Sequence, residues 1–175
     1  MAQTAYGFLE QGCDIALHTR PIPDSRILAR KVDDIPYCLC ASPQYLASAS
    51  ALEHPNDIAK HNALVHFHYH TWQFVRKGNE DHEERCQPVA AFSTNTFSAL
   101  RDAALESLGI VLLPLQLVRD DLAKGRLNAV LSEWTPAGQM LYIAIAPGSG
   151  LPTKVRLLMD FAVDWFERNA LCSHS

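Results

Sequence analysis

The sequence has no Lys/Arg-rich block: its fifteen Lys and Arg are scattered among nineteen Asp and Glu, for a formal net charge of -4 over 175 residues. It therefore lacks the electrostatic footprint of a nucleic-acid-binding surface. No apolar run approaches the roughly 20 residues that a membrane span requires. A phosphate-cradling loop is missing, since Gly148-Ser149-Gly150 is followed by neither Lys-Ser/Thr nor a longer glycine pattern. There is no nucleophile elbow, and the histidines and carboxylates match no hydrolase or metalloprotease spacing. The five cysteines, Cys13, Cys38, Cys40, Cys86 and Cys172, are odd in number and irregularly spaced, with no signal peptide ahead of them. That usage reads as reduced thiols in a cytoplasm. Internal repeats and low-complexity linkers are also lacking. These absences leave a binding protein rather than an enzyme, with no cofactor and no metal implied.

What is present is material for a core. With 48% hydrophobic residues, the chain buries an interior of one ordinary domain or two small lobes. Apolar runs and alternation predict strands over residues 12–17, 26–32 and 35–41, with turn chemistry at 18–25. Ser42-Pro43 opens a short helix over 44–47, because a serine hydroxyl caps free amides and the fixed φ of proline suits the first turn. A second short helix is expected at 55–61 and a strand at 63–67. Residues 72–75 and 86–92 are read as a hairpin with its tip at 77–81. The clearest helical spacing, Phe97, Leu100, Ala104 and Leu108, predicts a helix with Asn95 as N-cap and Gly109 as its stop. A strand at 110–114, a helix ended by Gly125, and strands at 126–131 and 140–146 follow. The last helix runs from Pro152 to about Arg168, with Val155, Leu158, Met159, Ala162 and Phe166 on one face. Strands that alternate with helices argue an α/β protein, its sheet covered by helices.

Two features carry candidate chemistry. His66-Phe67-His68-Tyr69-His70 places three imidazoles at every second residue. On a strand they share one face at spacings of roughly 6 to 7 Å. All three cannot reach one zinc at about 2 Å without a bend in the chain. Two of them with Cys38 or Cys40 keep a histidine-centred metal-binding protein open as an alternative. The other feature is Ser93-Thr94-Asn95-Thr96, at a strand-to-helix junction. In α/β sheets ligands lie outside the carboxyl ends of strands, where helix N-termini offer free amides. Its hydroxyls and amide orient a small polar or anionic ligand beside an apolar wall at Phe97, or they do no more than cap the helix. His18-Thr19-Arg20 stands at a second strand end, where the planar fork of Arg20 pairs with a carboxylate or stays solvated in a loop.

Seven segments in order, GCDIALHTRPIPDSRILARKV, CASPQYL, HPNDIAKHNALV, WQF, ALRDAALESLGIVLLP, LVRDDLAKGRLNAVL and LPTKVRLLMDFAVDWF, resemble the effector-binding domain of LysR-type transcriptional regulators. The resemblance runs from about Phe8 to Glu167. It implies a two-lobed α/β fold like that of periplasmic binding proteins, with a small-molecule effector in the cleft between the lobes. Lobe I would combine residues 1–35 with 136–175, and lobe II would be 36–135. Effector contacts carried over by the resemblance fall on His18, Thr19, Arg20, Thr94, Asn95, Thr96 and Phe97, and Arg20 favours a carboxylate-bearing molecule. The resemblance further implies a cytoplasmic homodimer or tetramer without a membrane. DNA would be reached only through an N-terminal winged helix-turn-helix that this chain does not include. Lobe I is also expected to lack its first strand-helix-strand unit, as in a truncated regulator, and a nonfunctional remnant is the remaining alternative.

Overall fold

The structure, a computed structural model, describes residues 13–19, 27–145 and 152–168. In chain order the strands are β1 (Ile15–His18), β2 (Leu28–Ile35), β3 (Tyr37–Ala41), β4 (Ala63–His66), β5 (Trp72–Arg76), β6 (Asn79–Cys86), β7 (Ala90–Thr94), β8 (Ile110–Pro114), β9 (Asn128–Ala129), β10 (Trp134–Pro136) and β11 (Gln139–Ile145). The helices are α1 (Pro43–Ser48), α2 (Phe97–Leu105), α3 (Leu115–Ala123) and α4 (Thr153–Arg168), with a 3-10 helix at Pro55–Lys60. The chain divides into two compact units, Met1–Ile35 with Gly138–Ser175, and Pro36–Ala137. Among the described residues no helix is long and apolar enough to cross a membrane.

In the first unit β11 lies between β1 and β2 and is antiparallel to both. Helix α4 turns Val155 and Val163 inward and keeps Met159, Ala162 and Phe166 half-buried. Leu158, expected on the inner face, is 54% exposed, as are Leu157, Phe161 and Trp165 to similar degrees. At 100° per residue Val163 completes the stripe from Val155 through Met159, which leaves Leu158 at its margin. The expected turn between β1 and β2 falls mostly on residues 20–26, outside the described residues.

The second unit is built on a five-stranded sheet of order β7-β4-β8-β3-β9. Side chains alternate between its faces, as strand geometry requires. Leu39, Ala41, Ala63, Val65 and Ile110 enter one core with Ile58, Trp72, Phe74 and Trp134. Cys40, Leu64, Val111 and Leu113 enter the other, against Leu100 and Ala104 of α2 and Val118 of α3. A separate antiparallel sheet has the order β10-β5-β6.

Three local expectations are corrected. The hairpin from β5 turns at Lys77-Gly78, with Gly78 at φ 76°, and returns as Asn79–Cys86, not as residues 86–92. That return strand is polar on both faces, so no alternation betrays it; only Glu84 and Cys86 are half-buried. Residues 90–94 instead form β7 in the larger sheet. The strand expected at 126–131 shrinks to two residues, β9, and Leu131 adopts φ 55° just beyond it. Helix α2 begins after Thr96, not Asn95, and ends at Leu105, with Ser107 rather than Gly109 in the left-handed region at φ 62°. Gly109 serves a different need: a Cβ there would overlap the carbonyl oxygen of Asn62. That oxygen accepts the Ile110 amide at 2.9 Å, so the close approach locks the start of β8.

One buried charge ties the helices together. Asp121 on α3 is fully buried and accepts Nε of Arg101 at 2.5 Å and its Nη2 at 3.0 Å, with Nη2 of Arg126 at 2.5 Å on the other side. Two predictions follow from these contacts. Gly109→Ala is expected to destabilise the protein by about 2 to 3 kcal/mol in urea unfolding, through forced displacement of the Asn62 backbone. Arg101→Met strips Asp121 of one partner but leaves Arg126, so a loss of about 2 kcal/mol is expected in the same assay, below the full cost of an orphaned buried charge.

Candidate functional site

The parallel pairing of β4 with β7 and β8 sets the geometry of the candidate site. Helix α2 carries the chain from β7 to β8, so its N-terminus stands at the carboxyl ends of β4 and β7. His66 and Thr94 are register partners at those ends, and the Phe67 amide donates to the Thr94 carbonyl at 3.0 Å. Tyr37, at the start of the antiparallel β3, pairs with Pro114 and so comes to the same edge of the sheet.

Each sequence-derived position in this unit has a definite place. Thr94 is half-buried at the end of β7. Asn95 is exposed, and its carbonyl accepts Nε2 of His66 at 2.9 Å. Asn95 is not the N-cap; Thr96 is, in extended conformation, and its side chain caps nothing. The Thr96 hydroxyl instead donates to Oδ1 of Asn95 at 3.2 Å. The first-turn amides of a helix have no acceptor within it, so they remain directed to what lies beyond the N-terminus. A partial positive charge accompanies them.

Phe97 is half-buried in a group of rings. It stacks on His66 with centroids 4.4 Å apart and on Tyr69 at 5.7 Å, and meets Tyr37 edge-on at 6.2 Å. His66 is only 9% exposed and uses both ring nitrogens: Nε2 donates to a carbonyl, and Nδ1 accepts the His68 amide at 3.3 Å. A carbonyl only accepts and an amide only donates, so the neutral Nε2-H tautomer is the one that fits. Burial holds His66 below the ordinary histidine range, against an opposing pull from the Asn95 bond, with His68 and His70 adding a further downward push. Burial, with a smaller contribution from Tyr69, raises the Tyr37 phenol, so Tyr37 is neutral.

His66, Tyr37 and Tyr69 are the parts of this site that sequence reasoning did not identify. The HFHYH stretch is not a strand: β4 stops at His66, and Tyr69 closes a turn by donating its amide to the His66 carbonyl at 2.9 Å. The three imidazoles therefore do not share a strand face. Cys38 and Cys40 lie on β3, which β8 separates from β4. The hydrogen bond that the Cys40 thiol gives to Cys38, together with burial, raises Cys40, so it stays protonated. In the first unit, His18 ends β1 opposite Tyr142 and Thr19 follows it, both half-buried. Arg20 lies outside the described residues.

The family model of the LysR substrate binding domain matches residues 2–167. Among curated relatives, the chain is 24% identical over 158 residues to the HTH-type transcriptional activator AaeR of Escherichia coli K12, which covers 90% of this chain and 51% of that protein. It is 29% identical over 169 residues to the HTH-type transcriptional regulator CrgA of Neisseria meningitidis serogroup B, with 94% and 54% covered. Among solved structures, the regulatory domain of AphB from Vibrio vulnificus superposes with a TM-score of 0.74 at 26% identity, over 87% of this chain and 75% of that one. The chain thus spans about half the length of the curated relatives it matches. Its mixed α/β fold is the two-lobed, periplasmic-binding-protein-like fold of such regulatory domains. The chain belongs to the LysR substrate-binding domain family.

Proposed function

We propose that this chain is the ligand-sensing and dimerising part of a LysR-type transcriptional regulator and is not an enzyme. Residues 1–35 with 136–175 act as one ligand-binding lobe and 36–135 as the other, an assignment supported by the two compact units. The ligand is a small molecule, with carboxylates the favoured class. Thr94, Asn95, Thr96 and Phe97 are its contacts in the second unit, and His18, Thr19 and Arg20 are those in the first.

The observation that carries this reading is the uncapped start of α2. An N-cap Thr ordinarily spends its hydroxyl on a first-turn amide, yet Thr96 is turned to Asn95 and leaves those amides to an incoming acceptor. The ring group of Phe97, Tyr69 and His66 gives the same edge an apolar floor. Polar donors set beside an apolar surface are what small-molecule sites are made of. Binding regulates through a difference in affinity between two conformations, since a ligand with equal affinity for both shifts nothing. DNA contact belongs to the winged helix-turn-helix of the whole regulator, and the active assembly is a homodimer or tetramer in the cytoplasm. The relatives named as HTH-type transcriptional regulators support the first part of that reading, the contact with DNA.

A thermal-shift screen of small organic carboxylates tests the proposal. A cognate ligand at about 100 times its dissociation constant is expected to add about 2.7 kcal/mol to stability. The variant Thr96→Ala is expected to keep Tm within about 2 °C of wild type, because no cap bond is lost, yet to abolish most of the ligand-induced rise. Ser42→Ala provides the contrast. Ser42 does cap α1, accepting the Tyr45 amide at 3.1 Å, so its loss costs about 1 kcal/mol without touching the ligand response. A library that stabilises wild type and Thr96→Ala equally would sink the assignment of this helix start.

His66 adds a pH signature. Its folded-state affinity for a proton is depressed, so the unfolded chain binds the proton more readily. The stability this contributes is present above the ordinary histidine range and is lost as pH falls through and below it. Tm measured from pH 7.5 down to 5.5 is expected to fall more steeply for wild type than for His66→Gln.

A further inference from the structure

The histidines that share a carboxylate in the fold are not those of the HFHYH stretch but His54 and His82. The 3-10 helix Pro55–Lys60 starts on His54, whose Nδ1 accepts the Asn56 amide at 3.2 Å while the Asp57 carboxylate accepts the His54 amide at 3.0 Å. The first bond orients the ring and the second holds its backbone, and Nε2 on the far side of the ring lies 3.9 Å from Oε1 of Glu84. Strand β6 packs beside that helix, and its two-residue period puts His82 and Glu84 on one face. Nε2 of His82 lies 3.6 Å from the same carboxylate oxygen. The three donor atoms all fall within 4.8 Å of one another. Trp134 backs both rings, edge-on to His54 at 5.0 Å and tilted to His82 at 5.5 Å. The side chains of His54, His82 and Glu84 are 41%, 44% and 28% exposed, so the cluster opens to solvent on its remaining side.

Two imidazole nitrogens and one carboxylate oxygen make a donor set suited to zinc. Ligand bonds of about 2.0 to 2.2 Å in a tetrahedron place donors roughly 3.4 Å apart, close to the two distances to Glu84. We propose that His54, His82 and Glu84 form a surface site for a zinc-class divalent cation, with water at the fourth position. A plain set of His–Glu ion pairs is the competing account, but exposed pairs of that kind contribute little to stability, and they do not require both Nε2 atoms to face one oxygen. Coordination carries a definite structural cost. Nδ1 of His54 now accepts a bond, so Nε2 holds the proton; metal at Nε2 moves that proton to Nδ1 and breaks the bond from Asn56. Metal binding is thereby coupled to the start of the 3-10 helix, and the affinity is micromolar rather than nanomolar. The site lies wholly in the second unit and does not depend on the identity of the effector.

Calorimetric titration of the full chain with zinc chloride at neutral pH tests this. One zinc per chain is expected, with the Asn56 amide resonance displaced on loading. His82→Ala and Glu84→Gln are expected to weaken binding about tenfold or more, with circular dichroism unchanged. The double variant of His68→Ala with His70→Ala is expected to bind as wild type does. Absence of saturable heat at high micromolar zinc, equal affinity in wild type, His82→Ala and Glu84→Gln, or loss of binding in the His68 and His70 double variant would each overturn the proposal.

Discussion

Parallel strands cannot be joined by a tight turn; a crossover of a dozen or more residues has to return the chain to the starting edge. In the second unit that requirement governs β4, β7 and β8. The crossover between β7 and β8 is α2, and a crossover helix necessarily begins where its preceding strand ends. The Thr94–Phe97 junction, its amides and its hydroxyls are at the carboxyl edge of the sheet for that reason alone. The antiparallel β3 then adds Tyr37 to the same edge by running the other way. Rings from two strand ends, the turn after β4 and one helix start are thus gathered without any being adjacent in sequence.

Packing and hydrogen bonds hold this edge at several points. Helix α2 is held below by Leu100 and Ala104 in the core and at its flank by Arg101 on Asp121. At its far end Gly109 lets the backbone of Asn62 approach the first residue of β8. His66 joins the two halves of the edge by spanning from β4 to the Asn95 carbonyl. A helix held at its core face, its flank and its far end, with the residue before its start bonded to His66, can leave its first-turn amides unsatisfied by a side chain without unravelling.

Legibility followed burial. Strands β4 and β8 were readable because they are almost wholly buried and therefore apolar, and α2 and α3 because their inner faces recur at helical spacing. Strand β6 was not, since Asn79–Glu83 is exposed and charge falls on both of its faces. The strand–helix junction could be named from residue type, but its N-cap was misplaced by one residue: Asn95 and Thr96 are both good caps, and only the bond between them decides which is spent. The partnership of His66 with Asn95 spans 29 positions, and that of His54 with Glu84 spans 30; no local pattern encodes either. The family resemblance covered those gaps for fold and placed Thr94–Phe97, but it contained nothing about these particular histidines.

The second unit is one uninterrupted stretch of chain, whereas the first is made from two stretches on either side of it. Strand β11 sits between β1 and β2, so neither of the earlier strands has its partner until synthesis has passed residue 145. On a ribosome the second unit emerges complete and can close while β1 and β2 still wait with open edges. The order of assembly is therefore set by topology: the second unit can form first, and the first unit can complete its sheet only afterwards. Slow translation near residue 137 would lengthen that wait and, with it, the time during which two unpaired strand edges stand exposed to other chains.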